Sequence, residues 1–227
     1  MTAAPQSSAS LSTGLEISGL SVSIGHIPIL RDVTLTVGAG QMVGLIGHNG
    51  AGKTTLIRSI MGLLSPTAGR MTFDGADLLS QQPYRRAPAG VSYMPEDRRL
   101  IPALTVEENI LMPFWANKIP DAAQRLEWVY SLLPEIAQYR GRRALQLSGG
   151  QQKLVALARA LMPGRRLLLL DEPFEGVAPV LSRRLTEVIA GLRKEGLCVL
   201  ISESDDTHSA DLVDAVYRIE RGSVRPG

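Results

Sequence analysis

Two stretches of this chain carry residues suited to phosphate chemistry, and a third narrows what that chemistry serves. Gly47-His48-Asn49-Gly50-Ala51-Gly52-Lys53-Thr54 matches the pattern G-x-x-x-x-G-K-[ST] without a mismatch, and Thr55 follows directly. Glycines 47, 50 and 52 allow a tight turn in which consecutive backbone N–H groups point at one anion. A helix beginning near Gly52 would add the positive end of its dipole. Lys53 would set a cation against the β- and γ-phosphates of a nucleotide, and the Thr54 hydroxyl would be a ligand for magnesium. Further on, Leu167-Leu168-Leu169-Leu170-Asp171-Glu172-Pro173 is a short apolar run ending in two acids. A buried strand of this form delivers carboxylates to a site at its end. One could hold magnesium, usually through water, and the other could orient or deprotonate a water. Taken alone, the two acids would fit a plain strand-end turn bent by Pro173 equally well.

Between these stretches lies Leu147-Ser148-Gly149-Gly150-Gln151-Gln152. A serine and two glycines at the start of a helix leave unpaired N–H groups and a hydroxyl pointing outward. A serine cap with a flexible approach explains why a helix begins there. It does not explain why this segment occurs together with the other two.

The elements that must position these residues can be read from hydrophobic period. Leu15, Ile17, Leu20, Val22, Ile24, Val33, Leu35 and Val37 roughly alternate with polar residues, the period of strands with one buried face. Met42 to Ile46 is a more continuous apolar strand leading into the glycine-rich loop. Lys53 to Gly62 reads as a helix closed by Gly62. Short strands are expected at 70–74 and 91–94. From about Leu100 to Gln146 helical patterns dominate, at 106–115 and 122–133, broken by Pro113, Pro120 and Pro134. This reads as a helical subdomain inserted into an α/β core. After Gly150 comes an amphipathic helix carrying Leu154, Val155, Leu157, Ala158 and Leu161. Strand 167–170, helix 180–193 and strand 197–201 then alternate as in a layered parallel sheet.

The three motifs in this order resemble the ATP-binding-cassette (ABC) ATPases, over residues 15–222. The resemblance implies an α/β P-loop nucleoside triphosphatase core with an N-terminal antiparallel β subdomain and a helical subdomain inserted at about 97–160. It implies ATP and Mg2+ as cofactors, with Asp171 holding the metal and Glu172 acting on water. It also implies that Ser148, Gly149, Gly150 and Gln151 clamp the γ-phosphate of ATP held by a second cassette, so that two cassettes work head to tail. Three positions depart from the family pattern. Ile24 stands where a tyrosine commonly stacks on adenine, and Glu96 where a glutamine commonly meets the metal's water shell. Ser204 stands where a histidine usually contacts the γ-phosphate. Serine donates one hydrogen bond and carries no charge, and His208 does not align as its substitute. Glu96 is expected both to contact the nucleotide site and to meet the metal's water shell.

Tyr93 to Arg99, Leu104 to Ile110 and Gly176-Val177-Ala178-Pro179 look like the ATP-binding subunits of branched-chain amino-acid importers, although Phe174-Glu175-Gly176 departs from that subgroup after the proline. The implied partners are a second cassette, membrane permease subunits contacted near 96–115, and indirectly a solute-binding protein. The implied place is cytoplasmic, peripheral on the inner face of the membrane. Phe114 and Trp115 are candidate anchors there, with core packing the favoured role for both. Two other functions fit the motifs: a weakly hydrolysing subunit supporting an active partner, and a soluble ABC ATPase of DNA repair or translation. The second usually brings a long coiled coil or a second cassette in one chain.

Composition agrees with an ordinary globular chain of 227 residues, 44% hydrophobic and 20% charged. A net charge of +2 argues against nucleic acid as the main partner, and most of the paired arginines read as solvated surface. The single cysteine, Cys198, lies in an apolar run and is expected in the core, unable to form an internal disulfide or a zinc cluster. No apolar stretch is long enough to span a membrane. Residues 1–14, rich in Ser, Ala and Thr, read as a disordered tail.

Overall fold

The computed structural model describes residues 14–118, 120–205 and 207–227. The expected tail lies outside the described residues, apart from Gly14.

Strands β1 (Leu15–Ile24), β2 (Ile27–Val37), β4 (Ala68–Phe73) and β5 (Ala76–Asp77) form an antiparallel sheet in the order β2-β1-β4-β5. Its alternating pattern does what alternation requires: Leu15, Ile17, Leu20 and Val22 are buried while the residues between them face outward. A second sheet contains β3 (Met42–Ile46), β6 (Val91–Met94), β7 (Leu167–Asp171), β8 (Cys198–Glu203), β9 (Ala215–Glu220) and β10 (Ser223–Pro226). Its order is β10-β9-β3-β8-β7-β6, parallel from β9 to β6, with β10 antiparallel at the edge.

Every residue of β3, β7 and β8 is buried, which is why those strands read as continuous apolar runs. The pleat splits them between two cores. Leu167 and Leu169 pack with Val43, Leu45, Leu56, Ile57 and the antiparallel sheet. Leu168 and Leu170 pack with Val155, Leu157, Leu161, Leu185 and Ile189 on the other side. Each such leucine contributes about 1.5–3 kcal/mol on burial, so the strand that carries the acids is anchored from both faces. Cys198 is in the first core, as expected.

The helices are α1 (Lys53–Ile60), α2 (Val106–Asn117), α3 (Ala122–Leu132), α4 (Pro134–Ala137), α5 (Gly149–Leu161) and α6 (Pro179–Leu192). Gly62, at φ +74°, closes α1 as its position suggested. Three expectations need correction. Pro113 does not break its helix but sits inside α2, at the cost of one backbone bond. The start of α2 is strongly fixed, with the Thr105 hydroxyl accepting from Glu108 N–H and the Glu108 carboxylate accepting from Thr105 N–H. Pro134 does not simply end a helix either; it opens α4. Phe114 packs in the core, but Trp115 is 55% exposed and is no core residue. No helix among the described residues is long and apolar enough to cross a membrane.

Candidate nucleotide-binding site

Strand β3 delivers the glycine-rich loop by ending at Ile46 in the middle of the sheet, where Gly47 N–H donates to the Glu203 carbonyl of β8 (3.0 Å). A β-carbon on Gly47 would collide with the Ile219 carbonyl, so only glycine lets the chain pass there. Gly52, at φ +115°, precedes α1, and no side chain caps that helix. Its first N–H groups therefore face the cavity in front of the loop, with the dipole behind them.

That cavity, about 490 Å³, is lined by Asn49, Gly50, Gly52, Lys53, Thr54, Thr55, Glu96 and Glu172, with Ile29 at its apolar side. Lys53 is 5% exposed. Its ammonium donates to the Gly47 and His48 carbonyls and makes an ion pair with Glu172 Oε1 at 2.9 Å. Glu172 has φ +48°. Its N–H donates to the Ser202 carbonyl (3.1 Å), and its carbonyl accepts from the Lys153 ammonium (2.7 Å). The Ser204 hydroxyl is 3.0 Å from both Glu172 Oε1 and Asn49 Oδ1, and its single proton serves one acceptor at a time.

Asp171 is fully buried at the end of β7 and held by three hydroxyls. Thr54 Oγ1 (3.2 Å) and Ser202 Oγ (2.6 Å) donate to Oδ1, and the Tyr93 phenol (3.1 Å) donates to Oδ2. Burial, reinforced by Asp171, pushes the Tyr93 phenol well above its usual range, so it stays a donor at all ordinary pH. The Glu96 carboxyl is raised as well, by desolvation first and then by Glu175, Asp171 and Glu172. The Lys53 ammonium meets the Glu172 carboxylate, Glu96 lines the same cavity, and the Thr54 hydroxyl meets the Asp171 carboxylate at its edge. An all-oxygen donor set with surplus negative charge fits a hard divalent cation such as Mg2+.

The Ser148 segment is placed elsewhere. Ser148 caps α5: its hydroxyl accepts from Gln151 N–H (3.3 Å), while Gln151 Oε1 accepts from Ser148 N–H (2.9 Å). Ser148 and Gly149 are exposed, and none of 148–151 lines the phosphate-loop cavity. Gly149 borders a separate cleft of about 250 Å³ with Arg98, Lys153 and Glu175, and Glu96 touches both cavities.

The structure therefore brings the phosphate loop, Glu96, Asp171, Glu172 and Ser204 together and sets Ser148, Gly149, Gly150 and Gln151 apart from them. Ala51 lies in the core beneath the loop, and Gly47 and His48 border a cavity on its other side with Ser204. Ile24 is half exposed at the tip of the β1–β2 hairpin and does not line the cavity; Ile29 does. His208 bonds Ser182 (3.2 Å) and packs on Phe174. Sequence reasoning missed Tyr93, Ser202, Lys153 and Ile29. Ser202 had a signal: in a parallel pair of apolar strands ending together it stands opposite Asp171. For the other three the sequence offers no signal.

A family model described as ABC transporter matches residues 30–175. The high-affinity branched-chain amino acid transport ATP-binding protein BraG of Pseudomonas aeruginosa is 35% identical, over 92% of this chain and 90% of that protein. The lipopolysaccharide export system ATP-binding protein LptB of Haemophilus influenzae is 34% identical, over 92% of this chain and 88% of that one. Among solved structures, an ATP-binding subunit of an ABC transporter superposes with a TM-score of 0.84 at 29% identity, covering 95% of this chain and 90% of the other.

Proposed function

The chain belongs to the ABC transporter ATP-binding family, and from that premise we propose that it drives an importer of branched-chain amino acids or related small polar solutes. It is the ATP-binding, ATP-hydrolysing subunit of a transporter. The observation that supports hydrolysis best is the run of contacts from Lys53 to Glu172 and from Glu172 to Ser204, with Asn49 as the alternative acceptor for Ser204, at the mouth of the phosphate loop.

The loop N–H groups and Lys53 hold the phosphates of ATP. As the Lys53 ammonium turns to the phosphate oxygens, its ion pair with Glu172 opens and the carboxylate becomes free to take a hydrogen bond from water. The water oxygen bonds to the γ-phosphorus as the bond to the β–γ bridging oxygen breaks. Glu172 accepts the water proton, and the electron pair leaves on ADP. Ser204 orients Glu172 and offers one neutral hydrogen bond in this process. Thr54 and Asp171, with Glu96 facing the outer water shell, would hold Mg2+, which supplies charge neutralisation on the β- and γ-oxygens when bound.

In this reading Ser148 to Gln151 serve the ATP of a second cassette. The helical insertion at about 97–160, with Trp115 exposed on it, meets membrane permease subunits on the cytoplasmic face. A solute-binding protein acts on the far side, and nucleic acid plays no part. The solute reading is supported by the likeness to BraG and by the Tyr93–Arg99 and Gly176–Pro179 segments; the similar likeness to an export protein is its competitor. The test is Glu172→Gln in cells that depend on this chain. We expect hydrolysis to fall about a hundredfold or more with ATP binding retained, and branched-chain amino-acid uptake to stop. Normal uptake together with a lipopolysaccharide export defect would overturn the solute reading.

A further inference from the structure

Lys153 has no place in the roles assigned so far. It lies on α5 and is 3% exposed, yet its ammonium faces backbone carbonyls: Glu172 at 2.7 Å and Glu175 at 3.4 Å. Burial, and then the charge of Arg98, pulls its pKa below the usual lysine range, while Glu175, Glu96 and Glu172 partly offset this. A buried ammonium costs stability that an apolar side chain of the same length would not.

What it holds is the peptide of Glu172, whose left-handed φ of +48° is unfavourable for a residue with a β-carbon. The backbone of Glu172 is gripped on both sides of its Cα: its N–H donates to the Ser202 carbonyl of β8, and its carbonyl accepts from Lys153 of α5. The direction in which the Glu172 carboxylate leaves the backbone depends on this grip. Lys153 also sits within the first turns of the helix that Ser148 opens, and Arg98 ties the same end through the Gly149 carbonyl (3.1 Å). Ser148–Gly150 and Lys153 thus belong to the start of one continuous helix, and through Lys153 that helix contacts the Glu172 carbonyl.

We propose that Lys153 is a positioning residue: it holds the Glu172 peptide from α5, and so links the carboxylate acting on this chain's ATP to the helix end that meets the partner's ATP. The link rests on the paired-cassette reading above. The test uses the full-length chain, measuring hydrolysis across ATP concentration at protein concentrations that allow pairing. Lys153→Met, unbranched like lysine but one atom shorter and uncharged, should lower kcat about tenfold with KM within about twofold, and the Hill coefficient for ATP should fall toward one. Lys153→Arg should recover much of the rate. Added to Glu172→Gln, Lys153→Met should cost no further rate, because it acts through that carboxylate; additive losses would mark a merely structural role. Wild-type turnover with unchanged kcat in Lys153→Met overturns the positioning role. A wild-type Hill coefficient of one, or one unchanged by the substitution, overturns the link to the partner. Absence of wild-type turnover overturns the ATPase reading itself.

Discussion

Helices α1 and α5 both carry glycine at their starts, yet those starts are built in opposite ways. At α1 no side chain caps the helix, Gly52 takes a left-handed turn, and Lys53 is buried against Glu172. At α5 Ser148 and Gln151 cap each other, the segment is exposed, and the nearest cation is Arg98 on the Gly149 carbonyl. The first start keeps all its N–H donors for a ligand, and its stability depends on charges that the ligand must rearrange. The second has already satisfied two donors internally, the Ser148 and Gln151 N–H groups, and can offer only the Gly149 and Gly150 N–H groups and the serine hydroxyl. The start of α1 is open as a seat for an anion, and on the proposed paired-cassette reading the start of α5 serves as a lid over the partner's ATP.

Substitutions at the two ends should separate in kind. Lys53→Met removes the cation from both the phosphates and the buried Glu172. ATP hydrolysis should fall about a hundredfold or more and nucleotide affinity should fall with it, read by titration of a fluorescent ATP analogue. Affinity within twofold of wild type would break the description of α1 as the seat. Gly150→Ala sets a β-carbon 2.7 Å from Leu181 Cδ2, so the end of that side chain must move aside, and it adds a methyl to the exposed start of α5. Here turnover should fall about tenfold while affinity for the chain's own ATP stays unchanged, and a matching loss of affinity would erase the contrast. Ser148→Ala removes the cap and should lower stability by about 1 kcal/mol in denaturant unfolding, with own-site ATP affinity again unaffected.

The smallest effect belongs to Glu96, which touches both cavities. Its pKa is raised in the folded chain, so the native state holds that proton more tightly than the unfolded one does. Stability from this group is present below the ordinary carboxylate value and is lost as pH rises toward the raised value. Glu96→Gln should flatten that part of the melting-temperature profile. An unchanged profile would mean that Glu96 does not feel Glu175, Asp171 and Glu172.

Much of this was legible from residue order, for identifiable reasons. Strands β3, β6, β7 and β8 and helices α1 and α5 were readable because burial on both faces, or a cap with an apolar stripe, writes a local pattern. Pro113 misled because tertiary packing of Ile110 and Phe114 holds α2 together across a missing backbone bond. Trp115 misled because hydrophobicity does not report which side of a helix faces water; its neighbour Phe114 took the core position. Ile24 was placed by alignment to a pattern, whereas the hairpin turns Ile29 to the cavity instead.

The chemical identity of the site was set by sequence alone. Glycines where a backbone must approach an anion, a lysine and threonine next to them, and two acids after an apolar run admit few other uses. What only the tertiary structure decided is who touches whom across the sheet. Parallel strands bring Ser202 beside Asp171, the loop returning from β7 offers its carbonyls to Lys153, and Tyr93 reaches the same carboxylate from β6. These contacts join residues far apart in the chain. Their geometry follows from register and packing, which no local pattern of residue types encodes.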